Sequence, residues 1–248
     1  MFDLSGRVAL VTGAGQGVGA GIAARLAERG AAVAVNDRHA ERAESTVAAV
    51  RAAGGTALAV PFDVADREAV TEAVAATTSG LGPVDVLVNN AGIPESMMPT
   101  QFVDMDPEQW SPYLDVNLHG VLNCCHVVVP KMCERGFGRV ITISSGAGVV
   151  GLNIGVSLYA AGKGGALGFM RHLALETARR GVTANSLALG LMGMREPTEV
   201  TDSMARQVPV GRLGRPDDVG YICVYLASDE ASWMTGQTIH INGGAVTT

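Results

Sequence analysis

Tyr159 and Lys163 stand four residues apart in SLYAAGKGG, a spacing that stacks both side chains on one face of a helix. A phenol is a poor base near neutrality, with a pKa of about 10 in water. An ammonium about 4 Å away, in an effective dielectric of about 20, favours the phenolate by about 4 kcal/mol, or about three pKa units. The pair therefore suits proton transfer to or from an oxygen. The helix that carries it is poor, because Gly162, Gly164, Gly165 and Gly168 each cost about 1 kcal/mol relative to alanine. Ala161, Gly164, Gly165 and Gly168 form a stripe almost without side chains, which lets a second helix approach closely.

A second set of residues suits a phosphate. The apolar run RVALVT leads into TGAGQGVGAG (12–21) and then into the helical pattern IAARLAERG. Glycines keep such a turn tight and let backbone N–H groups approach an anion, and the helix N-terminus adds about half a positive charge. Gly13, Gln16, Gly17, Val18 and Gly19 form this candidate cradle, although Val18 stands where a strict GxGxxG template has its third glycine. Eighteen positions beyond Gly19, Asp37 closes the next apolar run, near the spacing of about 20 at which an acidic residue holds an adenosine ribose. Its carboxylate would accept from two ribose hydroxyls and repel a 2′-phosphate, which points to NAD. Arg38, a guanidinium able to hold that phosphate, keeps NADP open.

These residues need a scaffold that gathers strand ends. Runs rich in valine and isoleucine predict strands near 7–12, 31–36, 56–61, 84–88, 138–143, 182–188 and 237–241. Helical periodicity predicts helices at 17–29, 40–53, 66–79, 111–135, 157–180 and 217–227. The strands are continuous apolar runs, as in a parallel sheet buried on both faces. Right-handed crossovers then give an α/β doubly wound parallel sheet of about seven strands, with ligands at the carboxyl ends. No linker, charge block or repeat divides the chain, so residues 1–248 read as a single domain. The stretch 189–215 lacks clear periodicity, carries Leu191, Met192, Met194 and Met204, and is broken by Pro197 and Pro209, which suggests a substrate lid.

Composition narrows the function. Hydrophobic residues make up 48% of the chain and charged residues 17%, enough for a sizeable core and against disorder. A net charge of −6 leaves no basic footprint for nucleic acid or an anionic membrane. No apolar run reaches the length of a membrane span, and the start MFDLSGRVALVTG is no signal peptide. Cys124, Cys125, Cys133 and Cys223 show neither CxxC nor zinc spacing and read as reduced, packed thiols of a cytoplasmic protein. The histidines form no HExxH pair, so no metal site is expected.

Further motifs follow in order: Asp63–Val64, Asn89–Asn90–Ala91–Gly92, Asn117 in DVNLHG, Ser144–Ser145, Tyr159–x–x–x–Lys163, PVGRLGRPDDV (209–219) and LASDEASWMTGQTIHINGG (226–244). With Thr12–Gly13–x–x–x–Gly17–x–Gly19 they span essentially the whole chain, which resembles the classical short-chain dehydrogenase/reductase family, its 3-oxoacyl reductases and its alcohol and hydroxysteroid dehydrogenases in particular. The resemblance implies a Rossmann fold, NAD or NADP as cofactor, a small-molecule alcohol or ketone and a homotetramer seamed along the glycine stripe. It implies Asn117, Ser145, Tyr159 and Lys163 as the catalytic set. Tyr159 would be general acid/base, Lys163 would tune it and hold the nicotinamide ribose, Ser145 would donate to the substrate oxygen, and Asn117 would position a water. Asp63 and Val64 would contact the adenine, and Asn90, Ala91 and Gly92 would line the adenosine ribose.

Three places depart from the family pattern. Ser145 and Tyr159 are fourteen residues apart, one more than is commonest, which makes Ser144 the substitute candidate. The usual Pro–Gly after the sixth strand reads Leu189–Gly190, and the threonine that holds the nicotinamide carboxamide is replaced near Met194, so backbone from Gly190 to Met192 is expected to take over. Gly162 replaces a customary serine and is expected to matter little. Met97, Met98, Leu152, Ile154, Leu191, Met192 and Met194 fall in loops facing the nicotinamide and suggest an apolar, alicyclic or hydroxyacyl substrate. Arg195 and Arg206 could meet an anionic carrier. A sugar epimerase would need an added C-terminal domain, and an enoyl reductase a wider Tyr–Lys spacing. A cofactor-binding regulatory protein with an impaired site is the non-enzyme alternative.

Overall fold

The computed structural model describes residues 1–93, 97–193 and 198–247. Four-residue runs of small and branched apolar side chains open the chain as alternating strands and helices. In order they are β1 (Val8–Val11), α1 (Gly17–Glu28), β2 (Ala32–Val35), α2 (Ala40–Ala52), β3 (Thr56–Ala59), α3 (Arg67–Gly80) and β4 (Val86–Asn89). The second half adds α4 (Ser111–Leu114), a π-helical turn (Asp115–His119), α5 (Gly120–Arg135), β5 (Gly138–Ser145), α6 (Ser157–Thr177), β6 (Val182–Leu189), α7 (Glu199–Arg206), α8 (Pro216–Ala227) and β7 (Thr238–Ile241). The strands form one sheet in the order β3-β2-β1-β4-β5-β6-β7, and every pairing is parallel. This is the doubly wound Rossmann arrangement that the continuous apolar runs predict.

Both faces of the sheet are covered, and the strand residues divide between them by alternation. Ala9, Val11, Val33 and Val35 pack with Ile22, Leu26 and Cys223 from α1 and α8. Leu10, Leu87 and Val140 pack on the other face with Val128, Met132 and Met170 from α5 and α6. Helix starts are set by local chemistry: Asp66 caps α3 by accepting from the Glu68 and Ala69 amides at 2.9 and 3.1 Å. Thr198 and Thr201 form a capping box at the start of α7. Gly136, at φ +71°, ends α5 in the left-handed conformation. No helix among the described residues is long and apolar enough to cross a membrane.

Two differences from the sequence expectation bear on function. The expected helix 111–135 is divided by the wide π turn that contains Asn117, whose Nδ2 donates back to the Tyr113 carbonyl at 2.8 Å. Such turns insert one extra residue into a helix and re-aim its side chains. The second difference is α7, a regular amphipathic helix inside the stretch that shows no clear periodicity.

Two short polar side chains tie the strand ends together. Thr12 Oγ1, on a residue 1% exposed, accepts from the Asn90 and Ala91 amides at 3.0 and 3.1 Å, joining the end of β1 to that of β4. Asn36 accepts from the Gly13 amide at 3.2 Å and donates to the Val60 and Phe62 carbonyls at 3.2 and 2.9 Å, joining β1, β2 and β3. Replacing Thr12 by valine keeps its shape and strands two buried donors. Thr12→Val is expected to lower the unfolding free energy by about 2–4 kcal/mol in denaturant melts, and Thr12→Ser by less than half of that. Equal losses for the two variants would show that the methyl group, not the hydroxyl, holds the turn.

Candidate active site

The glycine turn after β1 leaves its backbone facing a cavity of about 420 Å³. Gly13 adopts φ +59°, and a Cβ there would lie 2.8 Å from the Ala91 Cα, so the turn is seated on the residues after β4. Helix α1 begins at Gly17 with no side-chain cap from Gln16 and no acidic residue in its first turn. Its leading N–H groups are therefore open to an anion, and Gly13, Gln16, Gly17, Val18 and Gly19 all line the cavity. Asp37, 7% exposed, lies beside them and accepts from the Gly15 and His39 amides at 3.2 and 3.0 Å. Arg38, His39 and Arg42 line the same end, and Arg42 was not evident as a site residue from sequence. Asp63 and Val64 follow β3, with Asp63 accepting from the Ala65 amide at 2.9 Å. Asn90 lines the cavity, yet its side-chain amide donates to the Thr12 and Gly13 carbonyls, each at 2.9 Å. It acts as a brace for the glycine turn. A dinucleotide fits this set: the uncapped helix start, the glycine cradle and the buried carboxylate each suit one of its parts.

The cavity is also lined by the residues expected to carry proton transfer. Ser145, the last residue of β5, accepts from the Ala147 amide on its Oγ at 3.2 Å and lines the cavity together with Tyr159. Ser144 also lines the cavity, 3% exposed, with its Oγ donating to the Lys163 carbonyl at 3.5 Å. Of the two serines, Ser145 is the one whose hydroxyl acts on the Tyr159 phenol, despite the fourteen-residue interval. Lys163 is 3% exposed and donates from Nζ to the Ile143 carbonyl at 2.7 Å. Burial brings its ammonium down to about 8 from 10.5. Asn117 is fully buried, and its Oδ1 has no hydrogen-bond partner. A Cβ at Gly92 would overlap Lys163 Nζ and lie 2.9 Å from Asn117 Oδ1, so both polar atoms press on that glycine.

Two expectations are corrected. Lys163 does not pull the Tyr159 phenol downward here: burial pushes the phenol up, and the Ser145 hydrogen bond only partly offsets that. Lys163 Nζ lies 5.8 Å from the Tyr159 ring centroid and donates to the Ile143 carbonyl. Gly162 also matters more than expected. A Cβ there would sit 2.8 Å from Asn117 Cβ and 3.1 Å from the Tyr113 carbonyl, so its bareness lets α6 lie against the π turn.

The far rim comes from the loop after β6. Gly190 and Met192 line the cavity, and a side chain at 190 would meet the Asn242 backbone at 2.8 Å. Met194, Arg195 and Pro197 lie outside the described residues. Leu191 lines the cavity, Met97 packs with the cluster around Tyr159, and Met98, Leu152 and Ile154 stand exposed on neighbouring loops. Ile93 and Met204 complete the lining without having carried any motif. Arg206 is exposed.

Residues 13–246 match a family model described as enoyl-(acyl carrier protein) reductase. The chain is 42% identical to the acetoacetyl-CoA reductase of Shinella zoogloeoides, over 96% of this chain and 98% of that enzyme. It is 40% identical to the 3-oxoacyl-[acyl-carrier-protein] reductase FabG of Staphylococcus aureus, over 95% and 96% of the two chains. Among solved structures it resembles a gluconate 5-dehydrogenase from Burkholderia cenocepacia in complex with NADP and tartrate, with a TM-score of 0.90 at 34% identity over 98% of this chain and 96% of that one. A putative short-chain alcohol dehydrogenase from Sinorhizobium meliloti matches with a TM-score of 0.90 at 36% identity over 98% of each chain. With the parallel sheet, the glycine cradle and the Ser145–Tyr159–Lys163 corner, these matches show that the chain belongs to the classical short-chain dehydrogenase/reductase family.

Proposed function

We propose that the chain is an NAD-dependent oxidoreductase that transfers a hydride between nicotinamide and a secondary alcohol or ketone. The observation that carries this reading is the convergence of the Tyr159 phenol, the Ser145 hydroxyl and the buried Lys163 ammonium at one end of a cavity whose other end is a glycine cradle beside Asp37. Gly13, Gln16, Gly17, Val18 and Gly19 would hold the pyrophosphate, Asp37 the adenosine ribose, and Asp63 and Val64 the adenine. Ala91 and Gly92, braced by Asn90, would line the channel between, Lys163 and Tyr159 the nicotinamide ribose, and Gly190 and Met192 the carboxamide. The cofactor supplies or accepts the hydride when bound.

The chain's own residues manage the proton. Ser145 donates to the substrate oxygen and stabilises charge that develops there. Tyr159 gives its phenolic proton to that oxygen in reduction and takes it back in oxidation. Burial pushes the phenol up and keeps it protonated at neutral pH, the form that a proton donor in reduction needs. Lys163, with its ammonium at about 8, is still mostly charged at neutral pH and would hold the nicotinamide ribose. Asn117 Oδ1, unpartnered beside Lys163, would hold a water through which the proton is replaced.

A second reading, an NADP-dependent 3-oxoacyl reductase, draws on Arg38 and Arg42 beside Asp37 and on the names of the reductases above. Asp37 favours NAD because a buried carboxylate at the end of β2 would accept from ribose hydroxyls and repel a 2′-phosphate. The full catalytic set speaks against an impaired regulatory protein. We read residues 1–248 as one catalytic domain with 189–215 as a lid over the substrate. Ala161 and Gly165, exposed on α6, suit a helix seam in a homotetramer. Four buried free thiols suit a cytoplasmic enzyme.

Tyr159→Phe is expected to lower kcat/KM for ketone reduction by about 10²–10⁴-fold with NADH affinity unchanged by calorimetry. Turnover at the wild-type rate would remove Tyr159 from the mechanism. Asp37→Ala is expected to cost about 10–100-fold in kcat/KM for NADH and to narrow the preference over NADPH. A wild-type enzyme that binds NADPH more tightly than NADH would contradict the assignment of NAD.

A further inference from the structure

Eight of the thirteen large apolar side chains that the described residues leave exposed stand on the three loops after β4, β5 and β6. Among them are Ile93 at 64%, Met98 at 69%, Leu152 at 46%, Ile154 at 54% and Leu191 at 39%. Ile93 and Leu191 line the same cavity as Tyr159. The Thr100 amide donates to the Gly155 carbonyl at 2.8 Å, which makes one wall of the loops after β4 and β5. That wall is continuous with a small apolar cluster, centred on Met105, Tyr113 and Leu158, against which Tyr159 packs. An apolar surface exposed at the mouth of a catalytic cavity marks the place where a ligand's own apolar surface lies.

Charge is missing from the same wall. Residues 97–103, 146–156 and 190–193 contain no ionisable side chain, while Glu95, Arg195 and Glu196 lie outside the described residues. A carboxylate or phosphate held on these stretches would lose its hydration with no cation there to replace it. Ser145 and Tyr159 supply the polar contacts for one carbonyl oxygen, and the surface beyond them rewards hydrocarbon.

We propose that the substrate is an uncharged, bulky alicyclic or branched ketone, not an anionic polyol or a carrier thioester, and that its hydrocarbon body lies on Ile93, Met98, Leu152, Ile154 and Leu191. This substrate class rests on the oxidoreductase reading above. Initial rates with NADH and with NADPH are measured on cyclohexanone, 4-tert-butylcyclohexanone, acetoacetyl-CoA and 5-ketogluconate. The tert-butyl ketone is expected to exceed cyclohexanone about 10–100-fold in kcat/KM, as added methyl groups do in an apolar pocket, and to exceed both anions at least about tenfold. Ile154→Lys and Leu152→Lys, at exposed positions that folding tolerates, are expected to lower kcat/KM for the tert-butyl ketone about tenfold more than for cyclohexanone, with NADH affinity within about twofold. A best rate on either anion, or equal rates on the two cyclohexanones, overturns the substrate class and leaves the oxidoreductase reading standing. Loss of the anion rate in Arg195→Ala would then identify the cation responsible. No turnover of any of the four ketones also overturns the substrate class, and failure to bind either NADH or NADPH overturns the oxidoreductase reading beneath it.

Discussion

The Lys163 ammonium is 3% exposed, donates to the Ile143 carbonyl at 2.7 Å, and has been brought from 10.5 to about 8 by burial. A shift of that size corresponds to about 3 kcal/mol of destabilisation while the group is charged. Its sign follows from proton counting. Between pH 8 and 10.5 the unfolded chain binds the proton that the folded chain has released, so stability rises with pH through that window and the full cost is present below it. The fold carries this cost at the end of the cavity that Tyr159 and Ser145 also line. Bare backbone closes around it: a Cβ at Gly92 would overlap Nζ, and one at Gly148 would lie 3.0 Å from the Lys163 Cβ. On the neighbouring face Gly162 admits the π turn of Asn117. Glycines outside α6 thus let the lysine be buried, and Gly162 within it lets the helix lie against the π turn.

At the other end of the cavity the constraint is different. Thr12, Asn36 and Asn90 use their side chains on backbone groups of neighbouring loops, and so free the amides of the glycine turn to face outward. Asp37 likewise accepts two amides and stays buried. The braced glycine turn and the corner of Ser145, Tyr159 and Lys163 thus line one cavity at the carboxyl edges of the central strands.

Much of this was legible in the sequence because parallel strands buried on both faces leave long apolar runs, and because glycine turns and a Tyr–Lys pair are tied to fixed spacings. Strand positions agreed to within about two residues, the boundary error usual for such readings. What escaped was tertiary. Asn117 sits in a π turn that has no periodic signature of its own, since the flanking helices continue on both sides. Helix α7 lay hidden in a segment dominated by prolines and glycines, although Thr198–Thr201 could have marked its start. The role of Gly162 could not be read from one chain, because it depends on what packs against it. The direction of the Tyr159 shift was misjudged for the same reason: residue spacing says nothing about where Nζ turns or how much water the ring loses.

The direct test is a carbon-13 NMR titration of the Lys163 ε-carbon in the cofactor-free enzyme, assigned with a Lys163→Met variant. The account expects a midpoint near pH 8, well below an ordinary lysine. A midpoint above pH 10 would mean that the ammonium is solvated, and would remove the buried cation on which the proposed chemistry depends.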